Sequence, residues 1–358
     1  MPQAATSTAP PGASGIALDI RLDAEPQDVA ARAKVLADTG VAGLFTFEGA
    51  HDVFLPLAIA AATTNVQVMT NVAIALPRSP VHLAHAAYDL QLLSGGRFRL
   101  GLGSQVKAHI ENRYGSSWQS PAAQMRESVL AVKAVLDSWQ HGTPLDFRGE
   151  YTRHTLMPPT FSPRPNPFGV PPVLLGALGP VMTRTAAEVA DGLLVMPFNS
   201  ERHFAERTLP AIEKGLALRE SDPSDFRVYP QSIIAMGRDD AELDRAVIGT
   251  RRLLAFYGST PAYRPVLDVE GRAELQGELH ILAAQQQFAG MGDLIDDELL
   301  LRLAVVGTPE ECAEQLNKRF GNVTDRVCCY FPGYDPPLDQ IRALVTATRA
   351  SSARAPQH

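Results

Sequence analysis

Residues 66–105 read VQVMTNVAIALPRSPVHLAHAAYDLQLLSGGRFRLGLGSQ, and this stretch decides the fold class. It opens with a short apolar strand at 66–70 and closes with a second one at 98–102. Between them, the Ser-Pro pair at 79–80 supplies an N-cap and a first-turn proline for a helix that two glycines end. Short apolar strands joined by a helix are typical of parallel strands buried on both faces. The stretch therefore predicts one strand–helix–strand unit of an α/β protein.

The same alternation extends in both directions along the chain. It predicts eight strands, at 16–20, 41–47, 66–70, 98–102, 173–175, 193–196, 228–235 and 326–331. Eight parallel strands with intervening helices make a (β/α)8 TIM barrel. Two stretches are longer than ordinary loops and are interpreted as insertions, one after strand four (104–170) and one before strand eight (259–304). We expect a single barrel domain over 15–350, with disordered tails at 1–14 and 351–358.

Composition argues against several classes of function. The 358 residues carry a formal charge of −7, so we expect no surface that neutralises nucleic-acid phosphates. The sequence holds no unbroken apolar run of the ~18 residues that a membrane span needs. The three cysteines form no CxxC pair and are expected to be buried free thiols, which fits a cytoplasmic protein without a leader peptide. No set of histidines and carboxylates suggests a metal site.

Barrels carry their chemistry where the strands end, which nominates Asp19 after strand one and Glu48, His51 and Asp52 after strand two. A histidine among carboxylates can transfer protons beside a cofactor. Polar residues in such loops also commonly do no more than satisfy the loop backbone. The residues alone leave both interpretations open.

Glycine-rich turns follow strands four and five. The segment GALGPVMT, at 176–183, places two glycines and a proline before a helix, where backbone N–H groups can hold a phosphate. A tight turn without a ligand explains it equally well. The segment LGLGS, at 100–104, has too few glycines for a dinucleotide-binding fingerprint.

Three segments together resemble the luciferase-like monooxygenase superfamily, and they lie at 48–105, 173–195 and 305–316. HDVFLPL (51–57), GSQVKAHIENRYG (103–115) and FRGEYTRHTLMPP (147–159) most resemble its branch of coenzyme F420-dependent oxidoreductases. The resemblance covers about residues 16 to 345. It implies a bacterial luciferase-like barrel that binds a flavin or deazaflavin ring at the mouth.

The resemblance also implies roles for individual residues. A non-prolyl cis peptide at Asn71–Val72 would back the ring, and His51, with Glu48 as second candidate, would transfer protons. Gln105 and His109 would orient the substrate or the ring carbonyls. The residues expected to bind the cofactor are Asn71, Val72, Ala73, Gly103, Ser104, Gln105, Gly176, Ala177, Leu178 and Gly179, of which the last four would hold its phosphate.

We therefore expect hydride transfer between coenzyme F420 and a small organic substrate. Two alternatives remain: an FMN-dependent two-component monooxygenase, and a barrel that binds flavin without catalysis. The order His51-Asp52 with no tryptophan following, and Ser104-Gln105 where several relatives have glutamate, disfavour sugar phosphates and simple alcohols as substrates. The resemblance also implies a homodimer.

Overall fold

The computed structural model describes residues 15–288 and 290–352, with side chains up to residue 350. The described chain contains twelve strands: β1 (Ala17–Arg21), β2 (Gly43–Thr46), β3 (Gln67–Thr70), β4 (Ala73–Ile74), β5 (Phe98–Gly103), β6 (Phe147–Arg148), β7 (Arg153–His154), β8 (Val173–Ala177), β9 (Gly192–Val195), β10 (Arg227–Met236), β11 (Ala304–Gly307) and β12 (Arg326–Tyr330). Eight of them close a barrel in the order β1, β2, β3, β5, β8, β9, β10, β12 and back to β1. Every pairing around this barrel is parallel, as the sequence predicts.

Helices cover the outside of the barrel and fill the two insertions. Their bounds are α1 (Val29–Ala37), α2 (Leu55–Thr63), α3 (Pro80–Leu93), α4 (Lys107–Asn112), α5 (Pro121–His141), α6 (Pro180–Val189), α7 (Glu201–His203), α8 (Leu209–Leu216), α9 (Asp240–Gly258), α10 (Arg264–Val269), α11 (Leu275–Ala284), α12 (Asp297–Leu303), α13 (Pro309–Phe320) and α14 (Leu338–Ser352). A π turn, Phe204–Thr208, joins α7 to α8.

The helix ends form where the sequence places capping residues. The Ser79 hydroxyl accepts a hydrogen bond from the Val81 N–H at 3.3 Å and caps α3. Thr308 and Glu311 form a reciprocal capping box at the start of α13. Gly95 and Gly96 follow α3 with positive φ, which only glycine adopts without strain. These local signals are short-range, so the sequence predicts them well.

Buried apolar side chains form three clusters. The largest lies between the strands and the outer helices and includes Leu18, Leu100 and Leu175. A second fills the barrel interior with Phe45, Met69, Leu174, Leu194, Tyr229 and Cys328. The third lies under the second insertion, where Phe198 and Leu178 meet α9 to α12. The insertion thus has a core of its own, and that core is continuous with the end of the barrel.

Two features were not predicted from the sequence. Strand β11 was not predicted, although it pairs with the last four residues of β10. The second insertion is largely helical, because it buries Val266, Leu267 and Leu279 against Leu254 of α9. The first insertion contains helices α4 and α5 and the antiparallel hairpin β6–β7, which lies within 147–159.

Cys312, Cys328 and Cys329 are buried free thiols, as predicted. Of the helices in the described ranges, none combines the length and the apolar character that crossing a membrane requires. The stretches expected to be disordered, 1–14 and 351–358, lie outside the described residues except for Ser351 and Ser352, whose backbone ends α14.

Candidate active site

The chain bends sharply where β3 ends at the mouth of the barrel. The peptide bond Asn71–Val72 is cis, which confirms the prediction for this bond. At the bend, the Thr70 hydroxyl accepts from the Gly101 N–H and donates to the Gly101 carbonyl, each at 2.8 Å. Pairing with β5 then resumes through β4, where Ala73 lies beside Leu102. The Thr70 side chain therefore replaces the strand ladder across the bend.

The bend brings three successive barrel loops into contact through Val72. A Cβ added to Gly103 would collide with Val72 Cγ2, and one added to Gly176 would lie 3.1 Å from Val72 Cγ1. Glycine is therefore required at position 103, and at position 176 there is little room for any side chain. The ends of strands three, four and five, which the sequence predicts to share one ligand, do meet at one place.

Glu48 anchors this bend to the end of β2. Its Oε2 accepts from the Ile74 N–H at 2.9 Å and from Arg78 Nη1 at 2.6 Å, while its Oε1 accepts from the Tyr114 hydroxyl at 2.9 Å. The Glu48 side chain is 9% exposed, and Arg78 also donates to the Ile74 carbonyl. Burial and the bond from its hydroxyl to Glu48 raise the pKa of Tyr114. Glu48 thus joins the strand-three bend to the segment before α3 and to the loop after α4.

Asn71 is buried beside the cis bond, and its side chain is only half satisfied. Its Nδ2 donates to Gln231 Oε1 at 3.1 Å, and its backbone carbonyl accepts from the Tyr330 hydroxyl at 3.3 Å. Its Oδ1 has no hydrogen-bond donor among the described residues. A buried acceptor without a donor is costly, so a bound group with an N–H would find a partner here.

The segment Gly176 to Gly179 leads from β8 into α6. Ala177 and Leu178 are buried, whereas a Cβ added to Gly179 would have no atom within 4 Å. Gly179 is the N-cap of this ten-residue helix, and no side chain caps it. The helix therefore begins beside open space without a side-chain cap, and the N–H groups and positive dipole end at such a helix start commonly hold phosphate in proteins.

The residues after β5 contribute backbone shape rather than free side-chain groups. Gln105 has a φ of 61°, and its Oε1 accepts from the Val106 N–H at 3.0 Å. The Ser104 hydroxyl donates to the Gln105 carbonyl at 3.0 Å. His109 lies exposed on α4. The Gln105 amide nitrogen remains available to a ligand, since it makes no hydrogen bond within the described part of the chain.

The other loop candidates lie apart from the bend. His51 is 40% exposed, and its Nε2 lies 3.4 Å from Glu25 Oε2. Asp52 accepts from the Phe54 and Leu55 N–H groups at the start of α2. Asp19 lies within β1 rather than after it, and its carboxylate pairs with Arg326 at the opposite end of the strands. The nomination of Asp19 was therefore wrong, because the strand continues to Arg21.

Several polar residues near the mouth are not among the candidates that the sequence nominates. Arg78 and Tyr114 lie in irregular segments whose contact with Glu48 depends on closure of the barrel. Arg21 and Tyr330 are the last residues of β1 and β12, so the rule that nominates strand ends applies to them too. The described residues contain no group of three or more histidine, cysteine, aspartate or glutamate side chains that could hold a metal ion.

The fold and this arrangement can be compared with known proteins. Residues 4–325 match the family of luciferase-like monooxygenases. The chain belongs to the luciferase-like monooxygenase family. An uncharacterized protein of Mycobacterium tuberculosis is 44% identical over 321 residues, which are 89% of this chain and 94% of the relative. The 5,10-methylenetetrahydromethanopterin reductase of Methanolobus tindarius is 26% identical over 271 residues, 75% of this chain and 78% of the relative.

Solved structures of the luciferase-like fold superpose along nearly the whole chain. The coenzyme F420-dependent tetrahydromethanopterin reductase of Methanopyrus kandleri has a TM-score of 0.75 at 20% identity, covering 94% of this chain and 98% of its own. The oxygenating constituent of 3,6-diketocamphane monooxygenase from Pseudomonas putida, solved with FMN, has a TM-score of 0.63 at 16% identity, covering 94% and 98%. These likenesses confirm the luciferase-like TIM barrel. Enzymes of this family are oxidoreductases and monooxygenases that use a flavin or a deazaflavin.

Proposed function

We propose that this protein transfers a hydride between coenzyme F420 and a small organic substrate. The observation that carries the proposal is the contact of Val72, at the cis bend, with the glycines that end strands four and five. A flat ring needs a continuous wall, and the ends of three successive strands supply one. The relationship to a methylenetetrahydromethanopterin reductase over three quarters of the chain supports a reductase rather than an oxygenase.

The residues present fit such a cofactor in two respects. Asn71 Oδ1 is a buried acceptor beside the bend that no donor in the described chain satisfies, and the ring carries N–H groups. The uncapped start of α6 at Gly179 suits a phosphate on the side chain of the cofactor. When bound, the deazaflavin supplies the hydride-accepting and hydride-donating carbon, and the protein contributes binding, orientation and proton transfer.

In this proposal each predicted residue has a distinct task. The backbone of Asn71, Val72 and Ala73 backs the ring, with Gly103, Ser104 and Gln105 at its edge. Gly176, Ala177, Leu178 and Gly179 hold the phosphate. His51 transfers the proton, Gln105 and His109 orient the substrate, and Glu48 holds the bend in position.

The decisive experiment is a titration of the purified protein with F420 and, separately, with FMN, followed by absorbance and fluorescence. We expect saturable F420 binding and much weaker FMN binding. Tight binding of FMN with none of F420 would overturn the choice of cofactor in favour of an FMN-dependent monooxygenase. Binding of either without turnover of any alcohol, imine or enone would instead indicate a barrel that only binds flavin.

A further inference from the structure

A layer of polar side chains crosses the barrel just above its apolar interior. On three strands a polar residue follows two positions after a member of the interior cluster: Asn71 after Met69 at the end of β3, Gln231 after Tyr229 in β10, and Tyr330 after Cys328 in β12. Alternate residues of a strand share a face, and the strands of the barrel all run towards the same mouth. We call these three polar residues the floor, because they lie one step nearer the mouth than the interior cluster does.

Hydrogen bonds join the floor across the lumen of the barrel. Strands β3 and β10 are separated by three strands in either direction around the barrel, so they lie opposite each other. Asn71 Nδ2 nevertheless donates to Gln231 Oε1 at 3.1 Å, and the Tyr330 hydroxyl donates to the Asn71 carbonyl at 3.3 Å. The floor therefore closes the lumen beneath the mouth.

Gln231 is the floor residue whose amide is only partly used. It is 8% exposed, and its Oε1 accepts from Asn71. Its Nε2 makes no hydrogen bond within the described chain, yet Nε2 is not among the buried polar atoms without a partner, so it remains open to solvent. Because Asn71 holds the oxygen, the nitrogen is the atom of this amide that a ligand in the mouth can meet. Gln231 therefore offers hydrogen-bond donors to the mouth.

The bond from Asn71 also fixes where these donors lie. Asn71 begins the cis bend, and the next residue, Val72, contacts the glycines at 103 and 176. The Gln231 amide, whose oxygen is 3.1 Å from Asn71 Nδ2, is therefore at the foot of the wall against which the proposed cofactor rests. An amide N–H requires an acceptor such as a carbonyl oxygen. The pyrimidine ring of a flavin or a deazaflavin carries two carbonyl groups.

We propose that Gln231 binds the ring of the cofactor by donating from Nε2 to a ring carbonyl oxygen, and that the Asn71 side chain is the positioning group that orients it. That the ring belongs to F420 rests on the proposed function, but the donor at the foot of the wall does not. The sequence does not nominate Gln231, since it lies in the middle of β10 rather than at its end.

A fluorescence titration of the full-length protein with F420 tests the contact. Gln231→Met keeps the length of the side chain but removes the donor, and should weaken F420 binding about threefold to tenfold, the loss expected for one hydrogen bond. Gln276→Met is the matched control, because Gln276 is also 8% exposed and its Nε2 donates to the Ser259 carbonyl at 3.3 Å. It should leave F420 affinity unchanged. If Gln231→Met does not fold, Gln231→Asn withdraws the amide by one carbon and should lose affinity to a similar extent.

A double variant tests the role of the Asn71 side chain. Asn71→Leu keeps the approximate shape but cannot hold Gln231 Oε1, so the amide is free to turn, and F420 binding should weaken as it does in Gln231→Met. Both changes remove the same bond to the ring. The double variant should therefore bind F420 no more than about twofold more weakly than either single variant. Additive losses would show that Asn71 does not act through Gln231.

Infrared difference spectra of bound F420 provide a readout that a loss of stability would not move. A hydrogen bond lowers the stretching frequency of a carbonyl group. A carbonyl band of F420 bound to Gln231→Met should therefore lie at higher wavenumber than the same band in the wild-type complex. Gln276→Met should leave the band in place.

Three results would overturn the contact. They are Gln231→Met protein that binds F420 as tightly as the wild type, equal losses of affinity in Gln231→Met and Gln276→Met, and carbonyl bands that do not shift. If the wild-type protein binds FMN but not F420, the proposed function fails. The same variants titrated with FMN, whose ring carries the same two carbonyl groups, then decide the contact, and weaker FMN binding by Gln231→Met alone supports it. Wild-type protein that binds neither cofactor overturns both.

Discussion

Glu48 shows how the surroundings of a single side chain determine what it can do. Sequence reasoning places it beside His51 as a candidate for proton transfer. In the structure its two oxygens accept three hydrogen bonds, from Ile74, Arg78 and Tyr114. A carboxylate that accepts three hydrogen bonds and pairs with a cation is better suited to holding the bend in place than to exchanging protons.

Replacing Glu48 tests this interpretation. Glu48→Gln keeps the shape of the side chain but removes the charge opposite Arg78. We therefore expect the free energy of unfolding, measured in urea, to fall by about 1–3 kcal/mol. Affinity for F420 should fall as the bend loosens. The pH dependence of kcat should stay unchanged. Tyr114→Phe, which removes one hydrogen bond to Glu48, should lower stability and F420 affinity in the same way but by less. A shifted pH profile with unchanged F420 affinity would restore Glu48 as a proton-transfer residue.

His51 makes the opposite prediction. It is 40% exposed and pairs with the exposed Glu25, so His51→Gln should change the free energy of unfolding by less than about 0.5 kcal/mol. If it transfers the proton, kcat should fall by about 10²-fold or more while F420 affinity is kept. Stopped-flow measurement of deazaflavin oxidation and reduction provides the rate. An unchanged rate would remove His51 from the reaction.

At the scale of elements, substitutions at the start of α6 test the proposed phosphate site. Gly179 is an N-cap with ordinary extended backbone (φ −72°, ψ 153°), and the space around its Cβ position is open. Asparagine and aspartate are both good N-caps, but only aspartate adds a negative charge.

We therefore expect Gly179→Asp and Gly179→Asn to leave thermal stability equal or slightly higher, by a few tenths of a kcal/mol. Only Gly179→Asp should weaken F420 binding, by tenfold or more at low salt, and added salt should reduce the difference. Fluorescence titration at two ionic strengths measures it. Equal affinities for the two variants would place the phosphate elsewhere.

The whole molecule combines a barrel with an insertion that has its own apolar core, and His203 lies where they adjoin. His203 is buried at the start of the segment after β9, with its Nδ1 2.9 Å from Asn199 Oδ1. Its neighbour Ser200 donates to Glu270, which pairs with Arg302 of the insertion. Burial lowers the pKa of His203 to about 4, with Arg207 adding to the decrease and Glu270 opposing it.

This pKa predicts how stability depends on pH. The unfolded chain protonates His203 near the ordinary value of 6.5, whereas the folded chain does so only near 4. Because the unfolded state binds the proton first, stability is lost as pH falls from 6.5 to 4, by roughly 3 kcal/mol from this group. Urea unfolding at several pH values gives the free energy of unfolding of the wild-type protein and of His203→Gln. The difference between the two should change by that amount between pH 6.5 and pH 4. A difference in free energy of unfolding that does not change with pH would contradict the prediction.

Association also belongs to this scale. A homodimer stays a prediction from the resemblance, and sedimentation equilibrium of the purified protein tests it.

The sequence by itself determined the alternation of strands and helices, the barrel, the helix caps and, through resemblance, the cis bond at Asn71–Val72. These features depend on periodicity and on hydrogen bonds between near neighbours, which a linear sequence displays. Only the tertiary structure decided that Glu48 meets Arg78 and Tyr114, and that Val72 meets Gly103 and Gly176. Such contacts join side chains that are far apart in the sequence. They depend on how the barrel closes and on the register of its strands.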